Sequence, residues 1–288
     1  MLIETKKLTK KYGEFVALNS LNCEFHSGEL IGLVGSNGAG KSTFLKLLAT
    51  LTKPTSGDIF LNGKSIIKNP KEMQKSIGYL PQNVAVYPNL NAIEFLGYIA
   101  SLKGIKKNKA NEQILHLLKV LHLENVCDRH LSYFSGGMKQ RVGIACALLG
   151  NPEIIIVDEP TTGLDPEERI TFRNILSELA GNKIVILSTH IITDIEAVAN
   201  RIMILKNGNL LFNDTPELLM QKAKGHVWEY MVSDNKTLGK TTGISSMIQT
   251  ESGIKIRQVG KEKPIAKAAL VNANLEDACL FTMEEVAE

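Results

Sequence analysis

The chain has little of several things whose presence would point elsewhere. Its 288 residues include only 4 cysteines and 1 tryptophan, and no long hydrophobic run. Cys23, Cys127, Cys146 and Cys279 are scattered, with no CxxC spacing. That argues against a disulfide scaffold or a zinc site and leaves buried, reduced thiols in a cytosolic protein as the expectation. The greasiest segments are strand-sized, such as Ile154 to Val157, far short of the roughly 20 apolar residues a spanning helix needs. The N-terminus, Met1-Leu2-Ile3-Glu4-Thr5-Lys6-Lys7, has no apolar stretch after its charges and does not read as a secretory signal. An excess of one charge is missing too: 33 Lys and Arg against 30 Asp and Glu leave +3. This gives no electrostatic case for nucleic acid as the main partner or for a polybasic membrane anchor. A role at a membrane would need a partner to hold the chain there.

What is present is ordinary in bulk and specific in detail. Hydrophobic residues make up 44% and charged residues 22%, as in a soluble globular protein. The length suits one sizeable α/β domain with a smaller appendage. Leu2 to Thr5 and Leu21 to Phe25 read as short strands, Leu30 to Val34 as a buried strand, and Thr43 to Leu51 as a helix with Phe44, Leu47, Leu48 and Leu51 on one face. Turn residues around Pro54, Gly57, Asn62 and Gly63 separate short strands, and the strand Ile77 to Leu80 ends at Pro81-Gln82. Two apolar stripes follow, Phe95, Leu96, Ile99 and Leu102, then Ile114, Leu117, Leu118 and Leu121. They predict a helical subdomain, about 83–150, inserted into the α/β core. Ile154 to Val157 and Ile184 to Leu187, with a helix near Glu167 to Leu179 between them, make a βαβ pattern and a parallel sheet. Asn207-Gly208 marks a hairpin, and Pro216 to Lys222 a closing helix. Beyond about Lys224, strands at Trp228 to Val232 and Ile254 to Val259 and a helix over Asn274 to Glu285 suggest a small α+β extension, 223–288.

The most specific segment is Gly35-Ser36-Asn37-Gly38-Ala39-Gly40-Lys41-Ser42-Thr43. It fits G-x-x-x-x-G-K-[ST] and lies between a predicted strand and a predicted helix, the context that gives the motif its meaning. Glycines let backbone N–H groups curl around phosphate oxygens, and the helix start adds partial positive charge. Lys41 is of a length to reach the β- and γ-phosphates, and the Ser42 hydroxyl suits Mg²⁺. ATP with Mg²⁺ is the ligand this segment predicts.

Ile154 to Val157 runs into Asp158-Glu159. On an extended chain successive side chains point opposite ways, so the two acids are expected to divide the work: Asp158 on the metal, Glu159 as general base for the attacking water. His190 follows another apolar strand in Ser188-Thr189-His190. A parallel sheet would bring Lys41, Asp158-Glu159 and His190 to one edge, where ligands bind. His190 is then expected to hydrogen-bond the γ-phosphate and fix the water. Gln82, at the end of a fourth strand, is expected to contact Mg²⁺ or water by the same logic.

Phe134-Ser135-Gly136-Gly137-Met138-Lys139-Gln140-Arg141 lies about twenty residues before Asp158. With the segments above, it strongly resembles the ATP-binding-cassette ATPases. Ser135-Gly136-Gly137 matches the core of the family's signature motif, and Asp158-Glu159-Pro160 with Thr161-Thr162-Gly163-Leu164-Asp165-Pro166 resembles its metal-binding strand and D-loop. Tyr12, in Lys11-Tyr12-Gly13, sits where family members stack an aromatic on adenine. The resemblance spans roughly Leu2 to Leu219 in the family's order and spacing. It implies a P-loop NTPase core of mixed, largely parallel sheet with an N-terminal antiparallel β subdomain, over 1–222. It also implies that the signature binds the γ-phosphate held by a second subunit, with Asp165 contacting the neighbouring site. The chemistry of the residues agrees, because Ser135, Gly136 and Gly137 open a helix with a hydroxyl and free N–H groups. A head-to-tail homodimer with two ATPs follows.

Phe134 and Met138 replace the family's usual leucine and glutamine, and both occur in cassettes that drive exporters through separate membrane subunits. Asn274-Leu275-Glu276-Asp277-Ala278-Cys279-Leu280-Phe281 resembles the tail of drug, antibiotic-peptide and polysaccharide exporter cassettes. The resemblance thus implies an export ATPase on the cytoplasmic face of the membrane, docked to permease subunits through Asn83 to Ala92 with Tyr87 and Pro88. An importer cassette is the nearest alternative. A DNA-repair ATPase would need coiled-coil arms, yet only about 94 residues separate Lys41 from Ser135, without sustained heptads. A translation factor of the superfamily would normally carry two cassettes.

Overall fold

The computed structural model describes residues 1–161, 164–233 and 242–284. Thr162 and Gly163 of the expected D-loop, and Glu285 of the expected last helix, lie outside the described residues.

The chain opens with a hairpin of β1 (Leu2–Tyr12) and β2 (Phe15–His26), then β3 (Leu30–Val34) and α1 (Lys41–Leu48). Next come β4 (Ser56–Leu61), β5 (Lys64–Ser65), α2 (Lys71–Ser76) and β6 (Ile77–Leu80). The helical stretch is α3 (Ala92–Leu102), α4 (Lys107–Val120) and α5 (Gly136–Leu148). Then β7 (Ile154–Asp158), α6 (Pro166–Ala180), β8 (Ile184–Thr189) and α7 (Ile192–Glu196) alternate. A hairpin of β9 (Arg201–Lys206) and β10 (Asn209–Asp214) leads to α8 (Pro216–Lys222). Last are β11 (Val227–Val232), β12 (Ile244–Thr250), β13 (Gly253–Val259), β14 (Ala269–Leu270) and α9 (Leu275–Glu284).

The central sheet runs β10-β9-β3-β8-β7-β6, parallel except for the β9–β10 hairpin at one edge. An antiparallel sheet, β2-β1-β4-β5, packs beside it. The reason is visible in alternate strand residues. Ile31, Leu33, Ile154, Ile156, Ile184 and Ile186 face α1 and the antiparallel sheet, through Phe44, Leu45, Leu8 and Leu18. Leu30, Val34, Ile155, Val157, Val185 and Leu187 face the helical side, with Leu96, Ile144, Phe172 and Leu176. Strands buried on both faces need continuous apolar runs, which is what Ile154 to Val157 and Ile184 to Leu187 supply.

Several sequence expectations change in extent. The first two strands are far longer than Leu2 to Thr5 and Leu21 to Phe25 suggest, because Lys6, Lys10 and Lys11 line their wet side. The α1 helix stops at Leu48, and Leu51 is exposed rather than part of the apolar face. Leu102 is exposed too and leaves its stripe. The region between the last two predicted strands holds a further strand, β12. The thiols are all free, but only Cys23 and Cys279 are buried, while Cys127 and Cys146 are half-buried. Burial pushes the Cys23 thiol up to about 11 and those of Cys146 and Cys279 up to about 12, so none is a ready nucleophile.

An ion pair between Arg257 and a buried Asp277 ties α9 to the C-terminal sheet. Asp277, 0% exposed, takes Arg257 Nη2 at 2.6 Å and Nε at 2.8 Å. Its oxygens also accept from Ser245 Oγ at 2.6 Å and the Asn274 backbone N–H at 2.9 Å. Leu275, Ala278, Cys279 and Phe281 of α9 meanwhile join the same apolar core as the central strands. Removing one partner strands a buried charge. Arg257→Met is expected to destabilise these elements by about 3 kcal/mol, read by urea unfolding. ATP affinity should stay near normal.

Candidate functional site

The parallel register sets the site. Val34 pairs with Thr189, Asp158 with Ser188 and Leu80 with Val157. Four strands therefore end nearly flush, and the loops that leave them start from one edge. From β3 leaves Gly35 to Gly40, from β7 Glu159, from β8 His190 and from β6 Gln82. All of these but Gly35 line one cleft of about 400 Å³, with Tyr12, Phe15, Ala17, Lys41, Ser42 and Thr43; Asp158 lies behind the lining, bonded to Ser42.

The loop turns into α1 at Gly40, whose φ is +107°. A Cβ there would lie 2.6 Å from the Ala17 carbonyl oxygen, so only glycine fits the turn. No side chain caps α1, and its first N–H groups are left to an anionic ligand. Lys41, buried at 6% exposure, donates to the Gly35 carbonyl at 2.7 Å and lies 3.2 Å from Glu159 Oε1.

The two carboxylates have different partners, and Glu159 does not continue the extended strand on which the expectation of opposite directions rests. Asp158 ends β7, and its Oδ1 accepts from Ser42 Oγ at 3.1 Å and Ser188 Oγ at 2.6 Å. Glu159 is not extended: its φ is +48°, in the left-handed region. Its N–H donates to Ser188, to the carbonyl at 3.1 Å and the hydroxyl at 3.0 Å. Its side chain spans Lys41 and His190, with His190 Nδ1 2.6 Å from Oε2. A carboxylate only accepts, so the ring donates through Nδ1 and Nε2 is its other, unshared nitrogen. A carboxylate held by an imidazole and a lysine beside a phosphate-sized cradle can take a proton from water.

The donor set suits a hard cation. Ser42 and Asp158 offer oxygen donors in contact with each other, and Gln82 lines the same cleft. Mg²⁺ is typically held by one or two carboxylates plus substrate phosphates rather than by a protein cage. Among the described residues there is no cluster of three or more His, Cys, Asp or Glu that would make such a cage.

Ser135, Gly136 and Gly137 do not line this cleft. Ser135 caps α5, accepting from the Met138 N–H at 3.1 Å. Asp165 likewise caps α6, accepting from the Glu168 N–H at 2.8 Å. The two helix starts touch: a Cβ on Gly137 would lie 1.8 Å from Glu168 Oε1. Phe15, Glu168 and the role of Ser188 escaped the sequence reading. Phe15 faces Tyr12 across the β1–β2 turn and shares its side of the cleft; an aromatic just after Tyr12-Gly13 was the available signal. Glu168 carried no signal, because its contact with Gly137 is tertiary.

Gly137→Ala meets only the carboxylate end of the Glu168 side chain, which can swing aside, so it is expected to destabilise the chain by no more than about 1 kcal/mol. Adding Glu168→Ala should recover most of that loss in thermal unfolding.

Among the described residues no helix is long and apolar enough to cross a membrane. Residues 18–162 match the family model described as ABC transporter. The bacitracin transport ATP-binding protein BcrA of Bacillus licheniformis is 37% identical over 81% of this chain and 76% of its own length. The Nod factor export ATP-binding protein I of Cupriavidus pinatubonensis is 33% identical over 78% of this chain and 69% of its own. Among solved structures, the dimeric ATP-binding cassette MJ0796, in a post-hydrolysis state bound to ADP and Pi, superposes with a TM-score of 0.66. It is 30% identical and covers 74% of this chain and 98% of that one. With the phosphate cradle, the paired carboxylates and the capped signature helix on one chain, this protein belongs to the ABC transporter ATP-binding subunits.

Proposed function

We propose that the chain hydrolyses ATP with Mg²⁺ at this cleft and thereby drives export through separate membrane subunits. The observation that carries the proposal is the grip on Glu159, 2.6 Å from His190 and 3.2 Å from Lys41 at the mouth of the phosphate loop. In this reading the backbone from Gly35 to Gly40, Lys41 and the start of α1 bind the phosphates. Ser42 and Asp158 hold Mg²⁺, with Gln82 at its edge; the ion supplies charge neutralisation when bound. Glu159 takes the proton of the attacking water, and His190 fixes its carboxylate and reaches the γ-phosphate. Tyr12, with Phe15 beside it, offers an aromatic surface for the adenine.

The site is half of a composite. Ser135, Gly136 and Gly137 lie outside the chain's own cleft, yet Ser135 leaves the Gly136 and Gly137 N–H groups at the start of α5 for an anion. A second copy, head to tail, would bring them to the γ-phosphate, with Asp165 at the shared boundary. Closing and opening this homodimer is the stroke. Residues 1–222 form the engine and 223–288 an accessory extension in this division.

The permease would dock on Asn83 to Ala92. Tyr87 supports this, half-exposed and packed edge-on against Phe95 at 5.9 Å and Tyr98 at 5.7 Å, as an amphipathic aromatic at an interface does. The chain would thus sit on the cytoplasmic face of the membrane. Export is favoured over import by the relative whose name states Nod factor export.

Glu159→Gln should bind ATP within a few-fold of normal and hydrolyse it at least about 100-fold more slowly, in a phosphate-release assay; near-normal turnover removes Glu159 as base. Lys41→Ala should lose most ATP affinity by titration calorimetry, and unchanged affinity contradicts the cradle. A small integral membrane protein is expected to copurify with the chain, whereas ribosomes or DNA in its place would refute transport.

A further inference from the structure

We propose that the buried hydrogen bond between Thr161 and Asp194 is a positioning strap that holds Glu159 against His190. It rests on the reading of Glu159 and His190 given above. Thr161 Oγ1 donates to Asp194 Oδ2 at 2.5 Å, and the two residues are 1% and 2% exposed.

The strap answers a question that the site raises. Glu159 holds a φ of +48°, which a residue with a side chain keeps only where its surroundings impose it. Upstream, Ser188 grips the Glu159 N–H twice. Downstream, Pro160 has no N–H to offer. The next residue able to anchor the turn is Thr161, and its anchor lies in the other catalytic loop. Asp194 comes four residues after His190, in the short helix α7. That helix is itself tied down, since Arg173 Nη1 donates to the Thr193 carbonyl at 2.8 Å. Thr189 Oγ1 accepts from the Ile191 N–H at 2.9 Å and fixes the turn that carries His190.

The loops leaving β7 and β8 are therefore joined by two rungs. One is Glu159 to His190, at the cleft. The other is Thr161 to Asp194, shielded from water beneath it. A single contact would let the loops swing about it; a second, displaced from the first, fixes their angle. A hydroxyl on a carboxylate makes a short, charge-assisted bond, and burial strengthens it further. Neither Thr161 nor Asp194 lines the cleft, so both would act through Glu159 and His190 and neither through the nucleotide.

The test is single-turnover hydrolysis and ATP binding by the full chain with Mg²⁺, for Thr161→Val, Thr161→Ser, Asp194→Ala and the Val/Ala double variant. Loss of the strap should lower the hydrolysis rate by roughly 10- to 100-fold, the scale of a small misplacement of reacting groups. ATP affinity should stay within about twofold. Thr161→Ser keeps the hydroxyl and should recover most of the rate. The double variant should be no slower than the slower single, because both changes break the same bond. The strap is overturned if Thr161→Val is as fast as the parent, if Thr161→Ser falls as far as Thr161→Val, or if the two losses multiply. An equal drop in ATP affinity, marking a merely structural role, overturns it as well. Glu159→Gln separates the two levels: if it still hydrolyses ATP, the reading of the site fails, whereas an inactive Glu159→Gln with a fast Thr161→Val sinks the strap alone.

Discussion

Everything at the cleft depends on the register of four parallel strands. Pairing Val34 with Thr189, Asp158 with Ser188 and Leu80 with Val157 brings four loop starts to one edge. A one-residue slip would turn each strand's side chains to the wrong face. It would expose half of two apolar cores and separate Ser42 from Asp158. Register is thus enforced by burial on both faces, and the chemistry inherits its precision from hydrophobic packing that never touches the ligand.

On that edge the polar groups are arranged in pairs. Ser188 serves twice, through its hydroxyl to Asp158 and through its carbonyl and hydroxyl to the Glu159 N–H. One serine thereby fixes the direction of both acids. Lys41 and His190 then hold Glu159 from two sides. Buried polar groups are costly unless satisfied, so this network is stable only when all its members are present. The same edge-on logic recurs where α5 and α6 meet: Glu168 fills the space beside Gly137, and Asp165 caps the helix that carries Glu168.

The cradle, the acids and the signature were legible in the sequence because each depends on residue types that few alternatives can replace. Glycine at Gly40 is demanded by a positive φ and a nearby carbonyl, and Lys41 by reach. Central strands were legible because burial on both faces writes continuous apolar runs. The edge strand of the C-terminal sheet was not. The β12 segment, Ile244 to Thr250, is largely half-exposed and reads as a polar loop. In β1 an irregularity at Lys7, whose φ is +49°, breaks the alternation and puts Ile3 and Thr5 out of phase with Leu8. Polar contacts across the fold left no trace in spacing, which is why Glu168 and the Thr161–Asp194 bond emerged only with the structure. The conformation of Glu159 was hidden for the same reason: nothing in Val157-Asp158-Glu159-Pro160 announces that the chain turns left-handed there.

The central claim is that this cleft is half of a site completed by the signature helix of a second copy. Light scattering on the Glu159→Gln chain with ATP and Mg²⁺, with and without an added Ser135→Arg change, tests it most directly. Glu159→Gln with ATP should show twice the monomer mass, and a monomer that still binds ATP once Ser135 is also changed. A chain that stays monomeric with ATP bound, or a dimer indifferent to Ser135, would contradict it.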